Sequence, residues 1–291
     1  MDNPMRGVAL LLAATFLFST SDAMSKILGA SLPVVEVGWV RYLAFVLMMV
    51  AANPRSLRAA AKVRSVKLQV LRGVMLVASA MLFILALKFM ALADAASVGF
   101  VSPLMITMLS VPMLGEVVGI RRWTAIAVGF LGVLIVIRPG TGAFHPAALL
   151  VIGSSLTWSV ATILTRRMAA TEDSRATLLW SASVGLVLLS CVVPFFWVTP
   201  SPGMLALNLA MGVVASGGQY LMVLAYRHAG ASLLAPFSYI QLIWATGFGF
   251  LLFGTLPDQM TLVGAAIITG SGMYTIHRER IRARERRMQP A

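Results

Sequence analysis

Two acidic and two basic residues interrupt the otherwise apolar beginning of the chain: Asp22 and Lys26 before a tight turn near Ser31, and Glu36 and Arg41 after it. An ionisable side chain at the centre of a bilayer-spanning helix costs about 2.5–3.5 kcal/mol on insertion scales, so each needs a partner or a water-filled cavity. Lys26 and Glu36 each lie five residues from Ser31, whereas Asp22 and Arg41 lie nine and ten away. At 1.5 Å rise per residue these pairs sit roughly 7 Å and roughly 14 Å below the turn. Asp22 and Lys26, four residues apart, share one helix face. The spacing predicts two stacked ion pairs across a helical hairpin, Asp22 with Arg41 and Lys26 with Glu36. Such pairs either lock two helices together or serve as an outer gate or a site for a charged substrate. An arginine within reach keeps Asp22 ionised, which argues against a proton carrier near neutrality, although proton coupling through Asp22 stays open.

Other polar and aromatic residues in apolar surroundings extend the candidate site: Ser79, Trp158, Thr162, Gln219, Tyr220, Tyr239, Gln241 and Trp244. A lipid-facing amide leaves several hydrogen-bonding positions empty, so Gln219 and Gln241 are expected to face the interior, as binding residues or as bridges between helices. Trp123, Trp197 and Tyr274 read as interfacial anchors. Pro103, Pro112 and Pro236 remove backbone donors and favour bends suited to gating helices. Covalent chemistry finds little support. The histidines, His145, His228 and His277, all fall at helix ends, no facing pair of buried carboxylates exists, and Cys191 stands alone. No nucleotide-binding motif and no metal-ligand spacing occur, so no cofactor is expected.

The elements that must position these residues follow from composition. Of 291 residues, 59% are apolar and 11% charged, against about 45–50% and about 25% in soluble domains. Runs long enough to cross about 30 Å of hydrocarbon fall at Val8–Leu28, Val34–Ala52, Val70–Met90, Ala95–Leu114, Trp123–Ile137, Ala147–Leu164, Thr177–Val198, Met204–Tyr226, Ser232–Phe253 and Met260–His277. Uninterrupted apolar runs lack the alternation of barrel strands, so the expected fold is an all-α integral membrane protein of ten transmembrane helices. The first run has no small-residue cleavage pattern and reads as a retained helix. With ten spans, 19 of the 23 basic residues fall on one side, carried by Arg6, alternate connectors and the tail. The positive-inside rule makes that basic side cytoplasmic and places both termini there. The net charge of +13 is thereby explained without a nucleic-acid partner, and the tail is expected to rest on anionic membrane lipids.

The halves of the chain repeat. At an offset of 139 Ala86 falls on Ala225, Lys88 on Arg227 and Gly115 on Gly254; near 140 Phe18 falls on Trp158 and Asp22 on Thr162. A duplicated unit of five helices enters the membrane upside down the second time, which gives an inverted repeat and a midplane site between the halves.

Lys26, Arg41, the Val101-Ser102-Pro103 step, Gly115-Glu116 and the Gly129–Gly132 stretch resemble the drug/metabolite transporter superfamily, in particular its ten-helix members with two EamA-type repeats. The second repeat has Gly254-Thr255 in place of Gly115-Glu116. The resemblance implies a first repeat over residues 1–141 and a second over 142–291. It further implies a secondary transporter in the bacterial inner membrane that moves a small polar or charged, amino-acid-like metabolite by alternating access, with export as the expected direction. Uptake or exchange of a nucleotide-like, vitamin or sugar compound is the alternative, and an intramembrane enzyme the alternative of another class. The expected carrier is a monomer or homodimer, coupled to protons or a counter-substrate.

Overall fold

The computed structural model describes residues 4–52, 55–116, 118–140, 145–168, 171–229 and 231–288. The first repeat contains α1 (Pro4–Gly29), α2 (Val34–Ala52), the short α3 (Arg55–Ala60), α4 (Val66–Leu87), α5 (Leu92–Gly99), α6 (Ser102–Leu114) and α7 (Ile120–Ile137). The second contains α8 (Ala147–Met168), α9 (Ser174–Val192), α10 (Pro202–His228), α11 (Ala231–Ser238), α12 (Ile240–Phe253) and α13 (Gln259–Met288). Nine spans among the described residues are long and apolar enough to cross a membrane, with α5–α6 counted as one. The tenth, α13, packs along α7.

The seventh span is shorter than its apolar run suggests. α9 ends at Val192, and Pro194 carries the chain into a 3-10 turn at Val193–Phe195 before an extended stretch. The fourth and ninth spans are both broken. α5 gives way to α6 at Phe100-Val101, and α11 gives way to α12 at Tyr239. The prolines do not place these breaks symmetrically: Pro103 follows the first, whereas Pro236 precedes the second inside α11, and Pro112 lies within an unbroken α6. The symmetry lies in the backbone itself. Gly115 and Gly254, 139 residues apart, close α6 and α12 in the left-handed conformation at φ of 70° and 64°, which glycine adopts without a Cβ clash.

Small residues hold α7 against α13. A Cβ on Gly264 would lie 2.7 Å from the Gly132 carbonyl oxygen, and one on Gly132 would lie 2.9 Å from that of Gly264, so the two backbones touch where only glycine fits. At one end of this pair Arg138 forms an ion pair with Asp258, which also accepts the Thr261 backbone N–H at 2.8 Å. The Arg138 bond, followed by the Thr261 bond, holds the Asp258 carboxyl down at about 2.

The expected stacking of α1 on α2 does not occur. α10 packs along both helices, and α1 and α2 meet over little of their length. Lys26 and Glu36 are therefore not paired. The Glu36 side chain is fully buried and its Oε2 accepts the Val198 backbone N–H at 3.1 Å. It pins the chain that follows α9 to the beginning of α2, a tie that joins the two repeats.

Three outcomes follow from this packing. Gly264→Leu should lower the thermal midpoint of the purified protein by an amount equivalent to about 1–3 kcal/mol, whereas the same change at Gly247, whose Cβ direction is open, should be nearly neutral. Glu36→Gln retains an acceptor for Val198 and should unfold within about 1 kcal/mol of the parent, while Glu36→Leu orphans that N–H and should lose about 1–3 kcal/mol. Asp258 is depressed in the folded state, so its contribution is present above its unfolded value of about 3.9 and lost as pH falls through about 2. The difference in thermal midpoint between the parent and Asp258→Asn should shrink over that window.

Candidate functional site

The broken spans bring their interruptions together. Phe100 and Tyr239 are 139 residues apart in sequence, and their rings stack with centroids 4.9 Å apart and planes at 30°. Each break is also tied to the first helix of the opposite repeat. Ser19 on α1 donates to the Gln241 carbonyl oxygen at 3.3 Å, and Ser159 on α8 donates to the Ser102 carbonyl oxygen at 3.2 Å. These bonds are equivalent under the repeat. Pro103 has no N–H to offer Gly99, and the Gly99 carbonyl oxygen instead accepts from the hydroxyls of Ser102 at 2.7 Å and Ser155 at 3.4 Å. Irregular backbone is tolerated at membrane depth where protein groups satisfy it in this way.

Asp22 and Arg41 are half-buried and near enough for their charges to attract. They form no ion pair within 4.0 Å, contrary to the contact expected from their depths. The divergence of α1 from α2 explains the gap. Neither Asp22 nor Arg41 makes a side-chain hydrogen bond among the described residues.

Lys26 lies farther along the same face of α1. Its ammonium donates to the Leu87 and Met90 carbonyl oxygens at 2.8 and 2.5 Å, lies 5.5 Å from the Phe253 ring centroid, and is near Asp94. A cation at the end of a helix is favoured by the free carbonyls there. Lys26 thus closes the end of α4 and joins α1 to α5 and α12.

The remaining sequence candidates separate by position. Trp244 packs edge-on against Phe16, with centroids 5.4 Å apart, and its indole N–H is buried without a partner. The Tyr239 hydroxyl is likewise buried and unpartnered. Trp158, Thr162, Gln219 and Gln241 are half-buried, with the Thr162 hydroxyl donating to the Trp158 carbonyl oxygen at 2.9 Å within α8. Ser79 bonds to Ser154 across α4 and α8 at 3.1 Å, which is a packing contact. Tyr220 is 47% exposed.

Several residues of the centre and its surroundings escaped the sequence reading. Phe100 and Ser19 are ordinary residues in apolar helices, and only the offset that carries Phe100 onto Tyr239 marks the first. Asp94, at the edge of its span, reads as a connector residue. Arg72 counts as a loop charge by position, yet it is buried near the start of α4.

The EamA-like transporter family matches the chain twice, over residues 5–138 and 145–276. The chain is similar to an S-adenosylmethionine uptake transporter of Rickettsia prowazekii (strain Madrid E), at 27% identity over 276 residues, covering 95% of this chain and 94% of that protein. It is similar to a pseudopaline exporter of Pseudomonas aeruginosa, at 26% identity, covering 90% and 93%. A riboflavin transporter of Rhizobium johnstonii is 31% identical over 189 residues, covering 63% and 61%. A protein of known crystal structure shares the fold, with a TM-score of 0.64 at 18% identity over 94% of this chain and 98% of that one. Two inverted five-helix units with equivalent breaks, each bonded to the other, and a double match across the chain lead to one conclusion: this is a multi-pass membrane protein of the EamA-like transporter family, a transporter of the drug/metabolite type.

Proposed function

We propose that the protein carries a small zwitterionic, amino-acid-like metabolite across the bacterial inner membrane by alternating access. In this reading residues 1–141 and 142–291 form the two rocking units, both termini are cytoplasmic, and export is the net direction. The observation that carries it is the pair of unjoined opposite charges, Asp22 on α1 and Arg41 on α2, both half-buried. A substrate ammonium group placed at Asp22 and a carboxylate at Arg41 would restore the contacts that the protein alone leaves unmade. Arginine suits the second role because its planar fork matches a carboxylate. Tyr239 and Trp244, whose buried hydroxyl and indole N–H have no partner, supply donors and ring faces for the rest of the ligand. Ser79 and Lys26 belong to the frame, since their polar atoms already have protein partners, and Glu36 joins it through the Oε2 bond to Val198, its buried Oε1 having no partner.

The relatives favour a second reading of direction and size. S-adenosylmethionine bears an amino-acid end and a nucleoside end, so the same charge pair would take the first while the aromatic residues take the second. That reading makes the protein an uptake or exchange carrier.

Purified protein in liposomes separates these readings. Counterflow of labelled amino acids, with S-adenosylmethionine as competitor, reports the substrate, and a chemically unchanged label excludes conversion by an intramembrane enzyme. Asp22→Asn and Arg41→Gln should each reduce flux at least about tenfold, which corresponds to about 1.4 kcal/mol. Asp22→Asn should weaken competition by compounds with a free ammonium group, and Arg41→Gln by those with a free carboxylate. Undiminished flux in both variants would remove the charge pair from the site. A pH gradient that drives uphill accumulation would establish proton coupling, and dependence on internal unlabelled solute would establish exchange.

A further inference from the structure

The offset of 139 relates two seams at which the repeats meet. α4 packs against α8 and α9 of the second repeat, and its counterpart α10 packs against α1 and α2 of the first. Gln69 and Arg72 on α4 occupy the places of Asn208 and Met211 on α10. All four are buried, Arg72 being the most accessible at 6%. Each pair lies within the first turns of its helix, so the α4 seam is at the basic side of the membrane and the α10 seam at the opposite side.

Equivalent places carry different chemistry. Arg72 donates from Nε to Thr165 Oγ1 on α8 at 2.6 Å, and from a terminal nitrogen to the Thr177 carbonyl oxygen at 3.2 Å and to the Ser181 hydroxyl on α9. Gln69 Nε2 donates to Thr177 Oγ1 at 3.1 Å, while its Oε1 has no partner, one orphaned amide atom against the two of Asn208. Beyond them Glu172 accepts the backbone N–H groups of Arg64 and Ser65 at 2.9 and 3.0 Å, and Trp180 Nε1 donates to the Ala60 carbonyl oxygen at 2.9 Å. The α10 seam is held otherwise. Met211 joins an apolar cluster with Leu28, Leu32, Val37 and Ile84, and Gly212 and Gly218 admit α2 and α1 at close range. Neither amide atom of Asn208 has a partner. Around Asn208 and Met211, among the described residues, no side-chain hydrogen bond joins α10 to α1 or α2.

We propose that Arg72 is the latch of the gate on the basic side, and that the α10 seam, closed only by packing over the unsatisfied Asn208 amide, is the gate that opens at rest. This positioning role rests on the alternating-access reading above. Hydrogen bonds from a charged donor are the stronger kind, while a buried amide without a partner gains by meeting water. Both effects bias the equilibrium in the same direction, and a two-state carrier responds to a bias at either seam. The resting protein therefore faces away from the basic side.

The test uses one reporter cysteine at a time in a full-length Cys191→Ser background. Val37→Cys on α2 and Ala176→Cys on α9 are 139 residues apart and both buried, one at each seam. A membrane-impermeant maleimide is applied to either face of oriented vesicles. Without further change, Val37→Cys should react from the non-basic face about tenfold faster than Ala176→Cys from the basic face. Arg72→Met should accelerate Ala176→Cys and slow Val37→Cys, and Arg72→Lys should give intermediate rates. Asn208→Leu should slow Val37→Cys and raise the thermal midpoint, a result that a misfolded variant would not give. Unchanged rates in the Arg72 variants, or faster labelling of Val37→Cys in Asn208→Leu, would overturn the latch. The labelling requires no substrate. Flux without these rate shifts removes the latch and keeps the transport reading, whereas the shifts without flux of any metabolite keep the latch and remove the transport reading.

Discussion

Backbone groups in lipid have no water to bond, so a span can be interrupted only where other protein groups take over the lost partners. That constraint governs the centre of this protein. Both interrupted spans exist because serines stand where they are needed: Ser19 and Ser159 reach from the first helix of one repeat to the break of the other, and Ser102 and Ser155 take the Gly99 carbonyl that Pro103 leaves without a donor. The bonds are reciprocal between the repeats. Each half thus depends on the other for its own irregular segment, and the seam between them is where the stacked Phe100 and Tyr239 rings lie.

Charge follows the same logic with a different result. Lys26 and Glu36 are held by backbone groups, the first at the carbonyl end of α4 and the second through Oε2 at the N–H of Val198, with the buried Glu36 Oε1 left without a partner. Neither needs a side-chain partner of opposite sign. Asp22 and Arg41 are the oppositely charged pair that forms no contact, which is why the proposed binding position is placed there and not at Lys26 or Glu36. The repeat symmetry sharpens the contrast, since the counterpart of Asp22 at an offset of 140 is the neutral Thr162. Sequence divergence after duplication has placed charge in one half of a geometry that both halves share.

The same divergence separates the two seams. Arg72 and Met211 stand at equivalent backbone positions, yet one organises several directional bonds and the other an apolar cluster. Directional bonds resist sliding and break at defined geometry, whereas apolar packing yields more gradually. A pair of related gates with unlike closures gives a carrier two inequivalent end states, even though the backbone alone would make them alike.

Periodicity and length in the sequence determined the spans, because a run of about 20 apolar residues has few alternatives in a bilayer. The second span was legible to the residue, and the offset of 139 was legible in Gly115 and Gly254, whose left-handed caps leave little choice of residue. Polar residue type also marked Asp22, Arg41 and Trp244. Partnership was not legible. Counting depth from Ser31 placed Lys26 level with Glu36, but depth says nothing about what lies between two helices, and α10 packs along both. Pro103 and Pro236 marked the fourth and ninth spans as bent, but the residues at which they break, Phe100-Val101 and Tyr239, were not legible, since the serines that satisfy the breaks lie far away in sequence. Local chemistry sets which segments are helices and how deep each residue sits; only the lateral arrangement of those helices decides which polar atoms meet, because that depends on contacts between surfaces distant along the chain.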